Sequence, residues 1–421
     1  MKGQWHLQLP SLNEHLSFLR VYCTERHFQV SSDNTMLQPD IQYTKERWLL
    51  TIAGVFLYVG DIWTDIGLAV KYFQEEQYVW TGLTLMFVLT GLLVTQIFSY
   101  AWYRDDLNDI FINSEGTKEI SGMSKPGFAV LHAFGLGIFT RYYHLLKKGF
   151  KMIWTKSNWD TVDKIQEVHK KLFCMATDLS MLKLFETFLE SAPQLLLQLY
   201  ILLGHSEVSV MQCISVAFSF FNIAWALVDY RRCLRRSLPH IREMPSGLPT
   251  AIYLLYKICT ITSLVLSYSL LLILSVYTTV ALTVLWLLGT TWAHLLETKF
   301  CSTRSLEILY RAVIGVILTF TFFNVNGQDT KVAMTTYYIF YTVINIMAPL
   351  LLALLKPELQ TSTLLLTVSG LICGCSVLGL VCLTLYYSFL HPRGVWREAD
   401  EVDGLGKETK STRRIRNFLQ P

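Results

Sequence analysis

The sequence predicts an all-α, polytopic membrane protein of about eight transmembrane helices plus two partly inserted or re-entrant helices, arranged as two similar repeats. Three observations predict it. Apolar runs of spanning length recur from Trp48 to Leu390 with no long polar linker between them. The 421 residues are 52% hydrophobic and 16% charged, with mean hydropathy +0.37, whereas a soluble domain carries roughly 25% charge. Basic residues concentrate in two stretches, Lys147 to Lys171 and Arg231 to Arg242. The net charge of +4 matters less than this placement.

The apolar segments run from Trp48 to Val70, Val79 to Trp102, Gly127 to Leu146, Asp178 to Leu203 and Ser209 to Tyr230. A second set runs from Ala251 to Ser275, Thr278 to Leu296, Leu306 to Phe323, Met334 to Leu355 and Leu364 to Leu390. A helix needs about 20 residues to cross about 30 Å of hydrocarbon, so most qualify by length. The positive-inside rule places both basic stretches, and Lys45 with Arg47, on the cytosolic side. The chain between Arg47 and Arg231 must then cross an even number of times, and one of its segments does not cross. Gly127 to Leu146 is the candidate, with three glycines, His132 and Arg141. In the second half the short segment Leu306 to Phe323, flanked by Arg304 and Arg311, takes the same role. The parity gives a membrane domain over 44–390, with repeats at about 44–232 and 248–390, and a C-terminal tail at 391–421 that is cytosolic like the front.

Residues 1–43 read as a cytosolic N-terminal extension without the continuous apolar core of a signal peptide. Met36 is a candidate alternative start. Of the nine cysteines most lie in apolar runs, where thiols behave as small hydrophobes, and none forms a zinc-spaced CxxC pair. No metal or cofactor is expected. The chain carries no GxxxxGK[ST], HExxH or GxSxG, so no covalent catalysis is expected.

Charged residues inside spans cost about 2.5 to 3.5 kcal/mol each on insertion scales and by default face a bundle interior or polar path. In the first span Asp61 and Asp65 lie one helical turn apart on one face. In the fourth, Asp178, Glu186, Glu190, Gln194 and Gln198 recur at multiples of four, and Lys183 shares their side. Each step of four advances about 40°, which makes a gently winding polar stripe. Pro193 should kink the helix near Leu189, beside the acidic pair. These charges either form a track for something hydrophilic or pair with one another to fix helix packing. Asp229 and Arg231 close the fifth span and read as interfacial.

The tail holds Asp400, Glu401, Val402 and Asp403 followed by Gly404, a tetrapeptide that executioner caspases prefer with the small residue they require after the cut. Beyond it Arg413, Arg414, Ile415, Arg416, Phe418 and Leu419 form a basic, apolar-interleaved segment. That segment is either a solvated or lipid-attracted tail or a tethered, autoinhibitory plug. A tether supplies an effective concentration of order millimolar, which cleavage would abolish.

SAPQLLLQLYILL from Ser191, the preceding TDLSMLKLFETFLE, YVGDIWTDIGLAVKYF in the first span and VDYRRCLRRSLP after the fifth resemble the XK-related family. The resemblance runs from about Thr44 to the C-terminus, with FTFFNVNGQDTK and RIRNFL narrowing it within the family; Met1 to Tyr43 departs from the pattern. It implies a multi-pass plasma-membrane phospholipid scramblase, activated by executioner caspases and exposing phosphatidylserine in apoptosis. It further implies that Asp61, Asp65, Asp178, Lys183, Glu186 and Glu190 match the family's intramembrane charges, and that Asp400 to Asp403 match its cleavage site. Phospholipids and caspases are the expected partners and nucleic acid is not. The need for a single-span chaperone subunit stays open. Two other classes also stay open: a secondary transporter of a small polar solute, and a non-transporting membrane scaffold.

Overall fold

The computed structural model describes residues 43–112, 125–154, 162–204, 210–237, 247–298, 300–301, 303–325, 331–357 and 363–390. The caspase motif at 400–404 and the basic segment at 413–419 lie outside these residues. The described residues within Tyr43–Ser157 and Lys170–Pro421 form one compact unit, and the start of one helix, 162–169, falls outside it.

Twelve helices make up the described residues: α1 Lys45–Gln74, α2 Tyr78–Ile112, α3 Lys125–Ala133, α4 Gly137–Trp154, α5 Val162–Leu189, α6 Ser191–Gly204, α7 Val210–Ser237, α8 Leu248–Leu274, α9 Thr278–Leu295, α10 Arg304–Phe320, α11 Lys331–Leu355 and α12 Thr363–Leu385. A π-helical turn, Tyr386–Leu390, ends the last of them. Among the described residues six helices are long and apolar enough to cross a membrane: α1, α2, α8, α9, α11 and α12 with its π-turn. They present Phe56, Trp63, Leu89, Val280, Phe340 and Val377 on their exposed faces. Such a surface suits hydrocarbon and not water.

The fourth apolar segment of the sequence is not one continuous helix but α5 and α6, interrupted at Glu190. The third is likewise two helices, with Gly135 at φ +76° in the turn between them, a backbone that glycine adopts freely. Gln96 of α2 closes that turn: its Nε2 donates to Gly135 O at 3.0 Å and its Oε1 accepts from Gly137 N at 3.0 Å.

The helix α8 is central, with 67% of its spanning window buried, and it packs against α6, α7, α11 and α12. Its small hydroxyl residues permit this. Ser263 bonds Tyr341 at 2.5 Å, Ser267 donates to Asn345 Oδ1 at 2.7 Å, and Gly379 of α12 approaches so closely that a Cβ there would lie 2.8 Å from Thr260 Cγ2. The two halves of the chain meet through aromatic rings: Trp102 of α2 and Phe300 with centroids 5.7 Å apart, and Phe185 of α5 with Tyr310 of α10 at 6.1 Å. Edge contacts of this kind add roughly 0.5 to 1.5 kcal/mol each beyond area burial.

Candidate functional site: a buried charge cluster at the end of a cleft

The inward face of α1 carries Tyr58, Asp61, Asp65, Ala69 and Tyr72 at helical spacing, while Trp63 and Phe73 point outward. The 3.6-residue period thus sorts one sequence into a polar inner stripe and an apolar outer one. Opposite it, α5 delivers Lys183 and Glu186, the break delivers Glu190, and the first turns of α6 deliver Ser191 and Gln194. Pro193 occupies the first turn of α6, where its missing N–H removes no helical bond that α6 itself needs.

These side chains form one network. Lys183 Nζ lies 3.0 Å from Glu186 Oε2 and 3.4 Å from Asp61 Oδ2, and 5.0 Å from the centre of the Tyr58 ring. Ser191 Oγ donates to Asp61 Oδ2 at 3.0 Å, and Gln194 Nε2 donates to Asp65 Oδ1 at 2.5 Å. Glu190 abuts Gly91 of α2, where a Cβ would fall 2.7 Å from its Oε2. Asp61, Asp65, Glu186, Glu190 and Gln194 are all buried. The network holds four carboxyl groups against the single ammonium of Lys183, so it cannot be neutralised by pairing within itself and needs protons, cations or water from outside.

Two predicted residues stand apart. Asp178 pairs with Arg141 of α4 at 3.7 Å. Arg141 also donates to Ser99 Oγ at 2.8 Å, and Ser99 bonds His132 Nε2 at 3.0 Å. His132 Nδ1 faces the Phe128 carbonyl at 2.8 Å, an atom that only accepts, so Nδ1 carries the proton. Gln198 sits half-buried a turn beyond Gln194, outside the network among the described residues.

The structure adds residues that the stripe does not contain. A narrow cleft, open to the surface, runs between α1, α4, α5 and α7. Arg47, Asp229 and Cys233 line one end and Gly54, Lys183 and Asn222 the other. Arg47 bonds Cys233 and pairs with Asp229 at 3.8 Å, so Asp229 is a wall of the cleft and not only an interfacial charge. Lys183 is the one residue shared by cleft and cluster. Arg231 stacks against Tyr253, its guanidinium 4.7 Å from the ring centre, and donates to Tyr253 Oη at 3.1 Å. Lys257, buried in α8, donates to Thr321 Oγ1 and Phe322 O at 3.0 Å each. A lone lysine within an apolar helix was a visible signal; a partnership with Thr321, 64 residues away, was not.

A bundle of apolar-faced helices holding a buried cluster of ionisable groups beside a cleft defines a polytopic helical membrane protein with a polar interior. The comparisons then narrow the class. The family model of the XK-related protein matches residues 49–392. The chain is 57% identical over 383 residues to XK-related protein 9 of Tetraodon nigroviridis, covering 90% of this chain and 100% of that one. It is 30% identical to XK-related protein 8 of Tetraodon nigroviridis, over 88% of this chain and 89% of that one. It is 31% identical to XK-related protein 8 of Pan troglodytes, over 85% and 87% respectively. The chain belongs to the XK-related family.

Proposed function

We propose that this protein is an energy-independent phospholipid scramblase of the plasma membrane, activated when an executioner caspase cuts after Asp403, and that it exposes phosphatidylserine on dying cells. Head groups move along the polar cluster while acyl chains stay in hydrocarbon, and no covalent step occurs. The observation that carries the reading is the position of Lys183, at once the floor of an open cleft and the hub of the buried carboxylates. Such an arrangement offers a head group hydrogen bonds and water at depth, which lowers a barrier otherwise set by dehydrating charge. The mixture of one ammonium with several carboxylates suits heads that carry both signs.

On this reading both termini are cytosolic. The six apolar helices are joined by α5–α6 and α7 as spans seven and eight, and α3–α4 and α10 insert part-way, one in each of two repeats. The broken backbone at Phe134–Leu136 and at Glu190 supports this, since interrupted helices at membrane depth occur where protein or a polar cavity surrounds them. Arg413 to Leu419 hold the intact chain shut until the cut severs the tether. A single-span chaperone for surface delivery is compatible with the exposed apolar faces.

The test is reconstitution in liposomes carrying fluorescent phosphatidylserine, with a membrane-impermeant reductant added outside. Intact chain should bleach half the label, and chain cut after Asp403 nearly all of it. Bleaching that stops at half in both samples would overturn the proposal. Flux of a small solute coupled to an ion gradient would favour a transporter in its place. Full bleaching that tolerates Glu186→Gln and Glu190→Gln together would leave the carboxylates a packing role alone.

A further inference from the structure

Glu186 and Asp61 take the Lys183 ammonium at 3.0 and 3.4 Å, which leaves two carboxyl groups over. Asp65 and Glu190 pair with no basic group among the described residues, although they are only 6% and 2% exposed. They lie against each other, the Asp65 carboxyl hydrogen-bonded to that of Glu190. Ionised carboxylates only accept, so a hydrogen bond between two of them requires a proton.

Gln194 points the same way by a different route. It is 1% exposed, and its Nε2 donates to Asp65 Oδ1 at 2.5 Å, which turns the amide into the cluster. Its Oε1 meets no donor among the described residues, and neither does Asp65 Oδ2. Buried acceptors without donors are destabilising, and one carboxyl proton supplies the missing donor while removing a charge. A metal ion is the other species that a set of acceptors holds, but among the described residues no three His, Cys, Asp or Glu side chains converge on a position for one.

The charged groups acting on the pair are Asp61 of α1 and Lys183 and Glu186 of α5. The phenols of Tyr58 on α1 and Tyr142 on α4 stand beside Lys183, and α2 presents Gly91 to Glu190. Among the described residues α2, α7 and α8 add no charge to this list. Ionising both Asp65 and Glu190 would therefore set four carboxylates against one ammonium in a buried site. We propose that Asp65 and Glu190 share one proton, and that this proton latches α1 to the α5–α6 break. The latch has a definite sign: lower pH keeps the proton in place, and rising pH removes it, drives the two carboxylates apart and loosens α1 from the break. Proton binding is independent of what the protein transports; its role as a gate on the polar track rests on the proposed function.

The test uses full-length protein in detergent. Infrared difference spectroscopy at neutral pH should show a protonated-carboxyl band in the wild type that fades as the pH is raised and is lost in Asp65→Asn and in Glu190→Gln. A proton held by the folded chain and released on unfolding makes the unfolding constant grow by about tenfold per pH unit. The wild type should show that slope above neutral pH. Either variant should lose it, because an amide at position 65 or 190 donates as the protonated acid does and cannot ionise. One folded variant suffices, and the wild-type band decides if neither folds. Absence of that band, or equal slopes in wild type and a folded variant, overturns the latch. So does stabilisation of the wild type by sodium or calcium ions at constant pH that both variants lack, which would assign the site to a metal cation. In liposomes, chain cut after Asp403 should scramble faster at the higher pH. A proton bound in a protein that never scrambles leaves the pair standing and removes the function, whereas scrambling that ignores pH removes the gate alone.

Discussion

Replacing Lys183 with methionine removes the ammonium while keeping most of the side chain's bulk. At the observed separations of 3.0 and 3.4 Å, and an effective dielectric of about 20, each ion pair has a gross attraction of about 5 kcal/mol. Desolvation of side chains only 3% to 11% exposed cancels much of that sum. Removing one partner, however, strands the other, and this costs about 3 to 5 kcal/mol in buried pairs. At roughly 2 °C per kcal/mol for a chain of this size the melting temperature in detergent should fall by about 6 to 10 °C. Adding Glu186→Gln to Lys183→Met should return part of the loss, because it removes a stranded carboxylate. A double-mutant cycle over the two positions should show coupling of at least about 1 kcal/mol. Coupling below about 0.5 kcal/mol, or an unchanged melting temperature, would refute the claim that Lys183 is the hub of the network.

Lys257→Met should behave in the opposite way: Lys257 donates to neutral oxygens, Thr321 Oγ1 and Phe322 O, so removing it relieves a buried charge even as Phe322 O loses a donor, and the stability change should stay within about 1 kcal/mol by thermal unfolding. Gly91→Ala would place a Cβ 2.8 Å from that of Glu190 and should destabilise by about 1 to 3 kcal/mol, whereas Gly370→Ala, with open space around it, should be neutral in the same assay. Gln96→Leu forfeits both bonds across the α3–α4 turn and should cost about 1 to 3 kcal/mol, seen as faster amide exchange near Gly137. Asp403→Ala should abolish cleavage by an executioner caspase, read on a gel, and with it phosphatidylserine exposure in dying cells.

The outline of the fold was legible because bilayer thickness leaves a strong mark on sequence: Trp48 to Val70 lies within α1, and Thr278 to Leu296 matches α9 to a residue. The acidic stripe was legible for the same reason, since Asp61, Asp65, Glu186 and Glu190 stand out against apolar neighbours. What sequence could not give was the partner of each charge. Asp178 shares the stripe's period with Glu186 but turns to Arg141, because α4 approaches that end of α5 and α1 approaches the other. Arg47 read as a flanking charge, and only the convergence of α1 on α7 shows that it closes a cleft with Asp229. Segment three hid its break, since Gly135 and Gly137 weaken a helix by amounts that tertiary contacts override elsewhere.

Both helix breaks rest against α2, only five positions apart, at Gly91 and Gln96, and they are satisfied by different means. At the α3–α4 turn the polar backbone atoms are taken up by the Gln96 amide, which holds that turn in one conformation. At the α5–α6 break Pro193 has no N–H to offer the Leu189 carbonyl, and the residue at the break is itself a carboxylic acid, Glu190. Its side chain is accommodated only because position 91 lacks a Cβ. The α5–α6 break thus places a buried carboxylic acid against a point of α2 that has no side chain. On the proposed function, hydrating Glu190 would have to displace α6 from α2 at Gly91. Any substitution that straightens the break, Pro193→Ala among them, should slow lipid passage even though no charge has been removed.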